Sequence, residues 1–582
     1  MYGVVIPLLL LVLINTTALA RVREIELNLS VKVVNPDCHT EGYEVMLVNG
    51  QHPAPPIQVT KGDEVRITIN NDPDSDRETS IHYHGILQIG TTEADGMPLV
   101  TQAPIPPGGT FHANFKVIDQ TGTYYYHAHS GTQDSSAHGP FIVYETDEDW
   151  PCATGNDNIL STLLLGKKKL HEGPYAYDDE RVLFFSDWLH QDQQKRLEYL
   201  MGPNFADIGV TDSFLINGRT VYDPSTLQND DSCEGYSAID VEPGKLYRLR
   251  VIGATTFSAM NFTIAQHRMT IIEVDGVLIQ PYETDSLLVV PGQRFSVLLR
   301  ADQPPEDSYY ISTESVFTPD ATSNGVAILQ SIVPKMFEPH ARKATVPAQI
   351  PAPPPNTSRQ PENYLFPEFR PVYPERHNFN SPPDRTIELV PVDTRMPDGT
   401  VRWLVNGRLA PEWSPSLIQL LQEMHQVRIN NTAIEMNAEG RGDGFDDGHQ
   451  TYPLMVDEVV DFVIQGTVIL DDGLCPAHPW HTHGMVHYTI AHGVGAYVHA
   501  RDKDIRTYPT PTAKDISLIY PAPPSTAAPG TPCSWTKFRV LVKNPGLWAT
   551  HCHITAHMLQ GMRAVMEVSP EQIPVLQNND HF

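Results

Sequence analysis

The 582-residue chain is poor in positive charge and in cysteine, and beyond its first residues it has no long apolar segment. Its 40 lysines and arginines are outnumbered by 70 aspartates and glutamates, which gives a formal net charge of -30. This balance disfavours binding to nucleic acid or to anionic membrane surfaces. Hydrophobic residues make up 40% of the chain, which is ordinary for a globular protein with a solvated surface.

No apolar run after the N-terminus is long enough to span a bilayer, so no membrane partner is expected. Residues 1–20 contain a leucine-rich run and end in Ala18-Leu19-Ala20, a pattern typical of a secretory signal peptide. The mature protein is therefore expected to be secreted and soluble. Outside residues 1–20, four sequons are consistent with glycosylation. They lie at Asn28, Asn261, Asn356 and Asn430.

Long helical periodicity is scarce, whereas short segments that alternate apolar and polar residues recur, as at 64–69 and 537–542. Many short strands separated by Gly/Pro turns predict β-sandwich domains. A composition change near Trp150-Pro151 and a proline-rich stretch give the boundaries. The predicted segments are a signal peptide at 1–20, domains at 21–150 and 151–345, a linker at 346–369, and a third domain at 370–582.

The most informative segment is His551-Cys552-His553, which is followed by His557 and Met562. A cysteine, two histidines and a weak axial methionine form the ligand set of a blue copper centre, so one histidine must come from elsewhere. Side chains alternate along an extended strand, so His551 and His553 point away from Cys552 and are free to bind other metals. This segment would connect one copper to a neighbouring metal cluster through a single residue.

Three further histidine clusters supply the partners. They are His82-Tyr83-His84, His127-Ala128-His129 and His478-Pro479-Trp480-His481-Thr482-His483. An extended H-x-H pair places both imidazoles on one face of its strand. A single such pair is more often an ordinary surface feature than a metal site, and imidazole does not select copper over zinc, iron or nickel. Four clusters in one chain, one of them built around a cysteine, argue against coincidence.

The four motifs, with the first continuing to Ala94-Asp95-Gly96, occur in the order found in multicopper oxidases. The chain resembles the laccase and ascorbate oxidase group of that family from about residue 33 to about residue 568. Its first block is especially similar to ascorbate oxidases. The resemblance implies an all-β fold of three cupredoxin-like Greek-key β-sandwich domains.

The resemblance also implies four copper ions and their ligands. The type-1 ligands would be His478, Cys552, His557 and the axial Met562. The type-2 ligands would be His82 and His481. The type-3 ligands would be His84, His127, His129, His483, His551 and His553. Met562 could also be an ordinary core methionine, although its spacing after His557 favours the ligand role. Because the cluster ligands come from both ends of the chain, the trinuclear site is expected between the first and last domains.

The implied reaction couples one-electron oxidation of a small-molecule reductant to four-electron reduction of dioxygen to water. Asp95 matches a family carboxylate near the trinuclear site that could relay protons, although an aspartate before Gly96 is also typical of a turn. Many family members carry Asp or Glu between the last two ligands of the cysteine motif. Thr555 occupies that place here, which leaves a second proton route unassigned.

The prediction of the natural reductant rests on a segment that begins at Asp212. This segment resembles the laccase segment whose aspartate contacts phenols. A carboxylate there can accept the phenol proton as an electron leaves, although Asp212 could also be a strand-edge residue. A phenol or diphenol is therefore predicted, with ascorbate as the alternative. A ferroxidase is less favoured, because its iron-binding glutamate corresponds to Ile208.

Two other classes of protein remain as alternatives. A copper-binding structural homologue would be expected to have lost cluster ligands, and all twelve positions carry a competent ligand here. A zinc hydrolase could use histidine clusters but has no need of His551-Cys552-His553. The oligomeric state stays open.

The chain contains six cysteines, and assigning Cys552 to copper leaves five. The segments around Cys38 and Cys233 resemble those joined by a bridge between the first two domains of ascorbate oxidases, which implies a Cys38–Cys233 disulfide. A Cys475–Cys533 bridge is the second expectation, since sequence alone does not fix connectivity. Cys152 would then be the free thiol.

Overall fold

The computed structural model describes residues 21–151, 169–226, 233–317, 325–332, 366–424, 427–470, 473–523 and 526–577. The predicted signal peptide, Cys152 and most of the predicted linker lie outside these residues. Within them the chain forms mostly β-strands, which build three cupredoxin-like β-sandwiches in succession, as predicted. The exact domain boundaries stay predictions.

The first sandwich shows both alternating and fully buried strands. Its strands are β1 (Val22–Val34), β2 (Tyr43–Val48), β3 (Ile57–Thr60), β4 (Glu64–Asn71), β5 (Ile81–His84), β6 (Thr110–Lys116), β7 (Gly122–Ala128) and β8 (His138–Tyr144). One sheet has the order β2-β1-β4-β6 and the other β3-β8-β7-β5. In β4, Val65 and Ile67 point into the core while Arg66 is exposed, as the alternation predicts. Strands β5 and β7 are buried at every residue, because both of their faces are covered.

The second sandwich lies between the other two in sequence. Its strands are β9 (Leu170–Glu172), β10 (Tyr175–Tyr177), β11 (Asp179–Trp188), β12 (Ser213–Ile216), β13 (Ser237–Val241), β14 (Leu246–Gly253), β15 (Ala259–Ile264), β16 (Met269–Val274), β17 (Val277–Thr284), β18 (Ser286–Val289), β19 (Arg294–Arg300), β20 (Ser308–Val316) and β21 (Val326–Ser331). Its main sheets have the orders β12-β11-β14-β19-β16-β17 and β13-β21-β20-β15-β18, and β9 pairs with β10.

The third sandwich carries the cysteine motif. Its strands are β22 (Arg385–Leu389), β23 (Pro391–Arg395), β24 (Val401–Val405), β25 (Tyr452–Leu454), β26 (Val459–Thr467), β27 (His478–Thr482), β28 (His487–Val494), β29 (Ala513–Lys514), β30 (Ile516–Ile519), β31 (Pro532–Leu541), β32 (Gly546–Cys552) and β33 (Arg563–Val568). The sheets have the orders β22-β26-β31-β28-β29 and β25-β33-β32-β27-β30, and β23 pairs with β24.

The helices are short and connect strands. They are α1 (Gln193–Met201), α2 (Leu417–Glu423), α3 (Asn431–Ala438), α4 (His499–Asp502), α5 (Thr555–Leu559) and α6 (Pro574–Gln577). Asn430 caps α3, because its side chain accepts a hydrogen bond from the backbone N–H of Ala433. Helix α5 follows Cys552 and carries His557.

The sandwiches pack directly on one another. Met97 and Val100 of the first share a buried apolar cluster with Leu417, Leu547 and Val565 of the third. Between the second and third, residues of β30 are part of the core that β11, β14 and β19 also form. The predicted disulfides are both present: Cys38–Cys233 joins the first two sandwiches, with 5.2 Å between Cα atoms, and Cys475–Cys533 lies within the third.

Candidate metal centre

Two strand pairs bring eight histidines to the junction of the first and third sandwiches. His82 of β5 pairs in register with His127 of β7, and His481 of β27 pairs with His551 of β32. The H-x-H spacing then places the second histidine of each motif on the same face. All eight side chains are buried, with at most 6% of any residue exposed. They are His82, His84, His127, His129, His481, His483, His551 and His553.

The six predicted type-3 histidines fall into two groups of three. Within each group, the ligand atoms lie within 4.8 Å of one another. One group is His84, His127 and His553, and the other is His129, His483 and His551. Each group combines histidines from both sandwiches, so neither can form without the interface. The predicted type-2 pair, His82 and His481, has ring contacts with both groups, and its own ring centroids lie 5.8 Å apart.

Hydrogen bonds to carbonyl oxygens orient four of these eight rings. The Nδ1 atom of His82 lies 2.7 Å from the backbone carbonyl oxygen of Asp95. The Nδ1 atoms of His127, His481 and His551 each lie 2.9 Å from the backbone carbonyl oxygen of another residue. Such contacts fix the tautomer and direct Nε2 inward. The Nε2 atoms of His82, His127 and His481 are buried and have no hydrogen-bond partner among the described residues.

His84 is oriented the opposite way from its neighbours. Its Nε2 lies 3.2 Å from Oδ1 of Asp515, which leaves Nδ1 facing Nε2 of His553 at 3.2 Å. Burial lowers the pKa of His84, His127 and His553 well below the ordinary histidine value, and neighbouring histidines lower it further. The rings are therefore neutral, and neutral imidazole is the form that binds metals.

A second, smaller donor set lies within the third sandwich. The Nδ1 atoms of His478 and His557 are 3.2 Å apart, and Sγ of Cys552 lies 3.7 and 3.6 Å from them. An ion at the centre of such a triangle is roughly 2 Å from each atom, close to the usual metal–ligand distance. Met562 is buried beside this triangle, and its backbone is hydrogen bonded to those of Cys552 and His557. We call these three donors the type-1 triangle, after the role that the sequence predicts for them.

Multicopper oxidase family profiles match residues 28–148, 179–332 and 413–572, which together cover most of the chain. The chain is 30% identical over 559 residues to "Laccase-1" of Fomitopsis schrenkii, covering 93% of this chain and 86% of that one. The chain belongs to the multicopper oxidase family. It is accordingly a copper-dependent oxidoreductase.

This multicopper oxidase is also similar to an ascorbate oxidase and to a laccase of known structure. It is 29% identical over 563 residues to "L-ascorbate oxidase" of Cucurbita pepo var. melopepo, covering 92% of this chain and 93% of that one. The solved laccase of Botrytis aclada superposes with a TM-score of 0.71 at 24% identity, covering 96% of this chain and 90% of that one. This structural likeness establishes the fold.

Copper fits the donor set of this multicopper oxidase. The unpartnered, inward-facing Nε2 atoms supply the imidazole ligands that copper accepts, and the type-1 triangle supplies a soft sulfur with two nitrogens. Burial raises the pKa of the Cys552 thiol well above its ordinary range, so a cation in the triangle is what would stabilise the thiolate.

Asp95 lies against two of the cluster histidines. Its Oδ2 accepts a hydrogen bond from Nδ1 of His483 at 2.9 Å, and its Oδ1 lies 3.4 Å from Nδ1 of His82. Burial alone would raise the pKa of Asp95, but these two histidines lower it well below its usual range. Gly96 allows this placement, because its φ is 86° and a Cβ there would lie 1.9 Å from the Ile81 carbonyl oxygen. The proton-relay role of Asp95 stays a prediction.

Sequence reasoning missed the ion pair that holds His84. Asp515 receives two hydrogen bonds of 2.5 Å from the guanidinium of Arg294, which belongs to the second sandwich. Both side chains are almost completely buried. The second sandwich therefore supports a cluster to which it contributes no histidine. No motif surrounds either residue, so the sequence held no signal for this pair.

A phenol was also missed at the cluster. The hydroxyl of Tyr125 lies 3.0 Å from Nε2 of His553, and its ring stacks on His84 with centroids 4.7 Å apart. It is the middle residue of a Tyr-Tyr-Tyr run that continues β7 into His127, so only its position in an inward-facing strand could have suggested it.

Asp212 immediately precedes β12. Its Oδ2 accepts a hydrogen bond from the backbone N–H of His190 at 2.7 Å, and its side chain is 36% exposed. The imidazole of His190 in turn contacts the buried carboxylate of Asp37 at 2.7 Å. The contact of Asp212 with a phenolic substrate stays a prediction.

Proposed function

We propose that this multicopper oxidase holds four copper ions and couples one-electron oxidation of a phenol or diphenol to the reduction of dioxygen to water. One copper would bind the type-1 triangle with Met562 as axial ligand, and three would bind the eight histidines. The observation that carries the proposal is Cys552, which belongs to the triangle while both of its neighbours in sequence belong to the cluster.

The copper ions would supply one-electron acceptance at the triangle and four-electron storage at the cluster. The protein supplies the connection and the geometry. Cys552 offers a covalent path through the backbone to His551 and His553, and the ladder between β27 and β32 pairs Trp480 with Cys552. Asp95 and Asp515 hold His483 and His84 in the orientation that binding requires.

The donor class is supported by the laccase-like segment at Asp212 and by the laccases among the relatives. A carboxylate at the edge of the donor site would accept the phenol proton as the electron leaves. Ascorbate is the second candidate, because several plant relatives at 27–29% identity are named L-ascorbate oxidase.

Oxygen uptake decides between these donors. The purified protein is expected to be blue, to contain copper, and to consume oxygen faster with a diphenol than with ascorbate or ferrous iron. Asp212→Asn is then expected to slow diphenol turnover and shift its pH profile, while a donor without a transferable proton is oxidised as before. Ascorbate oxidase would be the better assignment if oxygen uptake is faster with ascorbate and Asp212→Asn leaves the rate of diphenol turnover unchanged.

We further propose that the protein is secreted after removal of residues 1–20. The leucine-rich run that ends in Ala18-Leu19-Ala20 supports this proposal. In the described part of the chain, no helix is long and apolar enough to cross a membrane. Mass spectrometry of the protein in the culture medium would test this, with an N-terminus near Arg21 as the expected result.

A further inference from the structure

A carboxyl group from the first sandwich approaches the histidine cluster at the position where the cysteine motif has threonine. The hydroxyl of Thr555, the first residue of α5, donates a hydrogen bond to Oδ2 of Asp134, which follows β7. The two residues are 421 positions apart in sequence. Asp134 is half-buried, but its other oxygen, Oδ1, is enclosed and has no hydrogen-bond partner among the described residues.

Asp134 and Thr555 form a shared wall between two cavities. On the inner side they line a cleft together with His127, His129, His551 and His553, which we call the histidine cleft. On the other side they line a cavity with Thr132, Asp187, Gln193 and Arg196, which we call the outer cavity.

The outer cavity also adjoins a groove on the molecular surface. The groove is lined by Asp76, Arg77 and Glu78, and it shares Thr132 and Gln193 with the outer cavity. The groove, the outer cavity and the histidine cleft therefore adjoin through shared residues, and Asp134 lines both the outer cavity and the cleft.

The other carboxylates at the cluster have charged or hydrogen-bonding partners. Asp515 is paired with Arg294, and Asp95 is held by His483 and His82. Asp134 differs, because within the described ranges it forms no ion pair. Burial raises its pKa to about 7, and Asp187 across the outer cavity adds to the shift, although the Thr555 hydroxyl opposes it.

The remaining polar groups around Asp134 leave it free to exchange a proton. His138 contacts only its carbonyl, through Nδ1, and Arg196 donates to the carbonyl of Ile208. The phenol of Tyr125, whose pKa is raised well above its usual value by burial, is engaged with His553. Among these groups, Asp134 is the one that can alternate between acid and carboxylate near neutral pH.

We propose that Asp134, positioned by the Thr555 hydroxyl, delivers protons from solvent to the histidine cleft during dioxygen reduction, an inference that rests on the proposed function. Four protons and four electrons convert one dioxygen to two waters. The electrons come from the reductant by way of Cys552. Each proton leaves the Asp134 carboxyl toward the cleft, and the resulting carboxylate regains a proton from water in the outer cavity.

The test is single-turnover reoxidation of the copper-loaded protein. Wild-type protein and Asp134→Asn are reduced without oxygen and mixed with dioxygen, and the return of the blue absorption is followed between pH 5 and 9. Wild-type reoxidation is expected to slow as the pH rises through about 7, because Asp134 loses its proton. Asp134→Asn should be slower at pH 6 on the order of a hundredfold and should lack that pH step. Anaerobic reduction of its blue centre by the donor should match the wild type.

Thr555 provides matched variants. Thr555→Val removes the hydroxyl at nearly constant shape and is expected to slow reoxidation less than Asp134→Asn does. Thr555→Ser keeps the hydroxyl and is expected to behave as wild type. The double variant Asp134→Asn/Thr555→Glu returns a carboxyl to the wall and is expected to recover rate.

An infrared pH titration gives a readout independent of turnover. Burial also raises the pKa of Asp275 to about 7, so the readout is the wild-type minus Asp134→Asn difference spectrum. With or without copper, that spectrum should contain a protonated-carboxyl band that disappears as the pH rises through about 7. Wild-type reoxidation kinetics in Asp134→Asn, or the same infrared band in both proteins, would overturn the inference. If Asp134→Asn fails to fold, an unchanged rate in Thr555→Val together with no such band in the wild type would overturn it instead. Absence of oxygen uptake by the wild type would refute the proposed function, a result distinct from either.

Discussion

The type-1 triangle and the eight-histidine cluster are built in different ways. The triangle takes all three donors from the third sandwich, two of them five residues apart. The cluster takes four histidines from the first sandwich and four from the third, and the second sandwich holds one of them in place through Arg294 and Asp515. The triangle is therefore a local structure, whereas the cluster depends on how three domains pack. Substitutions that affect one site and leave the other unchanged can test this difference.

The largest effect is expected where the two sites meet. Cys552→Ser should remove the blue absorption and the oxidase activity together, because the thiolate supplies both the copper bond and the path to the cluster. Circular dichroism should show a retained β-fold, and copper content should fall by one ion per chain. A blue Cys552→Ser protein would show that the triangle is not the type-1 site.

His84→Ala should affect the cluster alone. The blue absorption should remain and should be bleached by donor at the wild-type rate, but it should not return in air. Absorption after admission of oxygen is the measurement. His171→Ala, which removes an exposed histidine of β9, is the matched control and should change neither step. Rapid return of colour in His84→Ala would contradict the division between the sites.

Arg294→Met changes a residue of the second sandwich and no histidine, but it should disturb the orientation of His84 in the cluster. Removing one partner of a buried ion pair costs roughly 3–5 kcal/mol, because the remaining charge is left uncompensated. We expect a lower Tm by calorimetry and slower reoxidation, with the position of the blue band unchanged. Arg300→Met on the same strand removes an exposed guanidinium and should leave both unchanged. A shift of the blue band in Arg294→Met would mean that the triangle also depends on the second sandwich.

Met562→Leu should produce the smallest effect, confined to the triangle. Loss of a weakly donating axial thioether should raise the reduction potential of the blue centre, because the oxidised ion loses a ligand. A redox titration measures this, and reoxidation by dioxygen should continue. An unchanged potential would leave Met562 as a core methionine.

The ligand residues could be predicted because the signal is local. An H-x-H pair on a strand places both rings on one face whatever the rest of the fold does, and β5 and β27 are such strands. The alternation that predicted β4 did not apply to β7, where domain packing buries both faces. Arg294, Asp515 and Asp134 could not be found, because their positions matter only once three sandwiches meet. The Cys38–Cys233 bridge was found through family resemblance, since spacing alone leaves several pairings open.

The pairing of β27 with β32 fixes the distance between the two sites. His478 and His481 lie on one strand and His551 and Cys552 on the other, and Trp480 pairs with Cys552 in the ladder. The separation of the two centres is therefore set by backbone hydrogen bonds and not by side-chain contacts. Changes of ligand or neighbour can alter the driving force of electron transfer, but its distance should stay constant unless the sheet itself opens. The amide protons of this ladder should be among the slowest in the molecule to exchange.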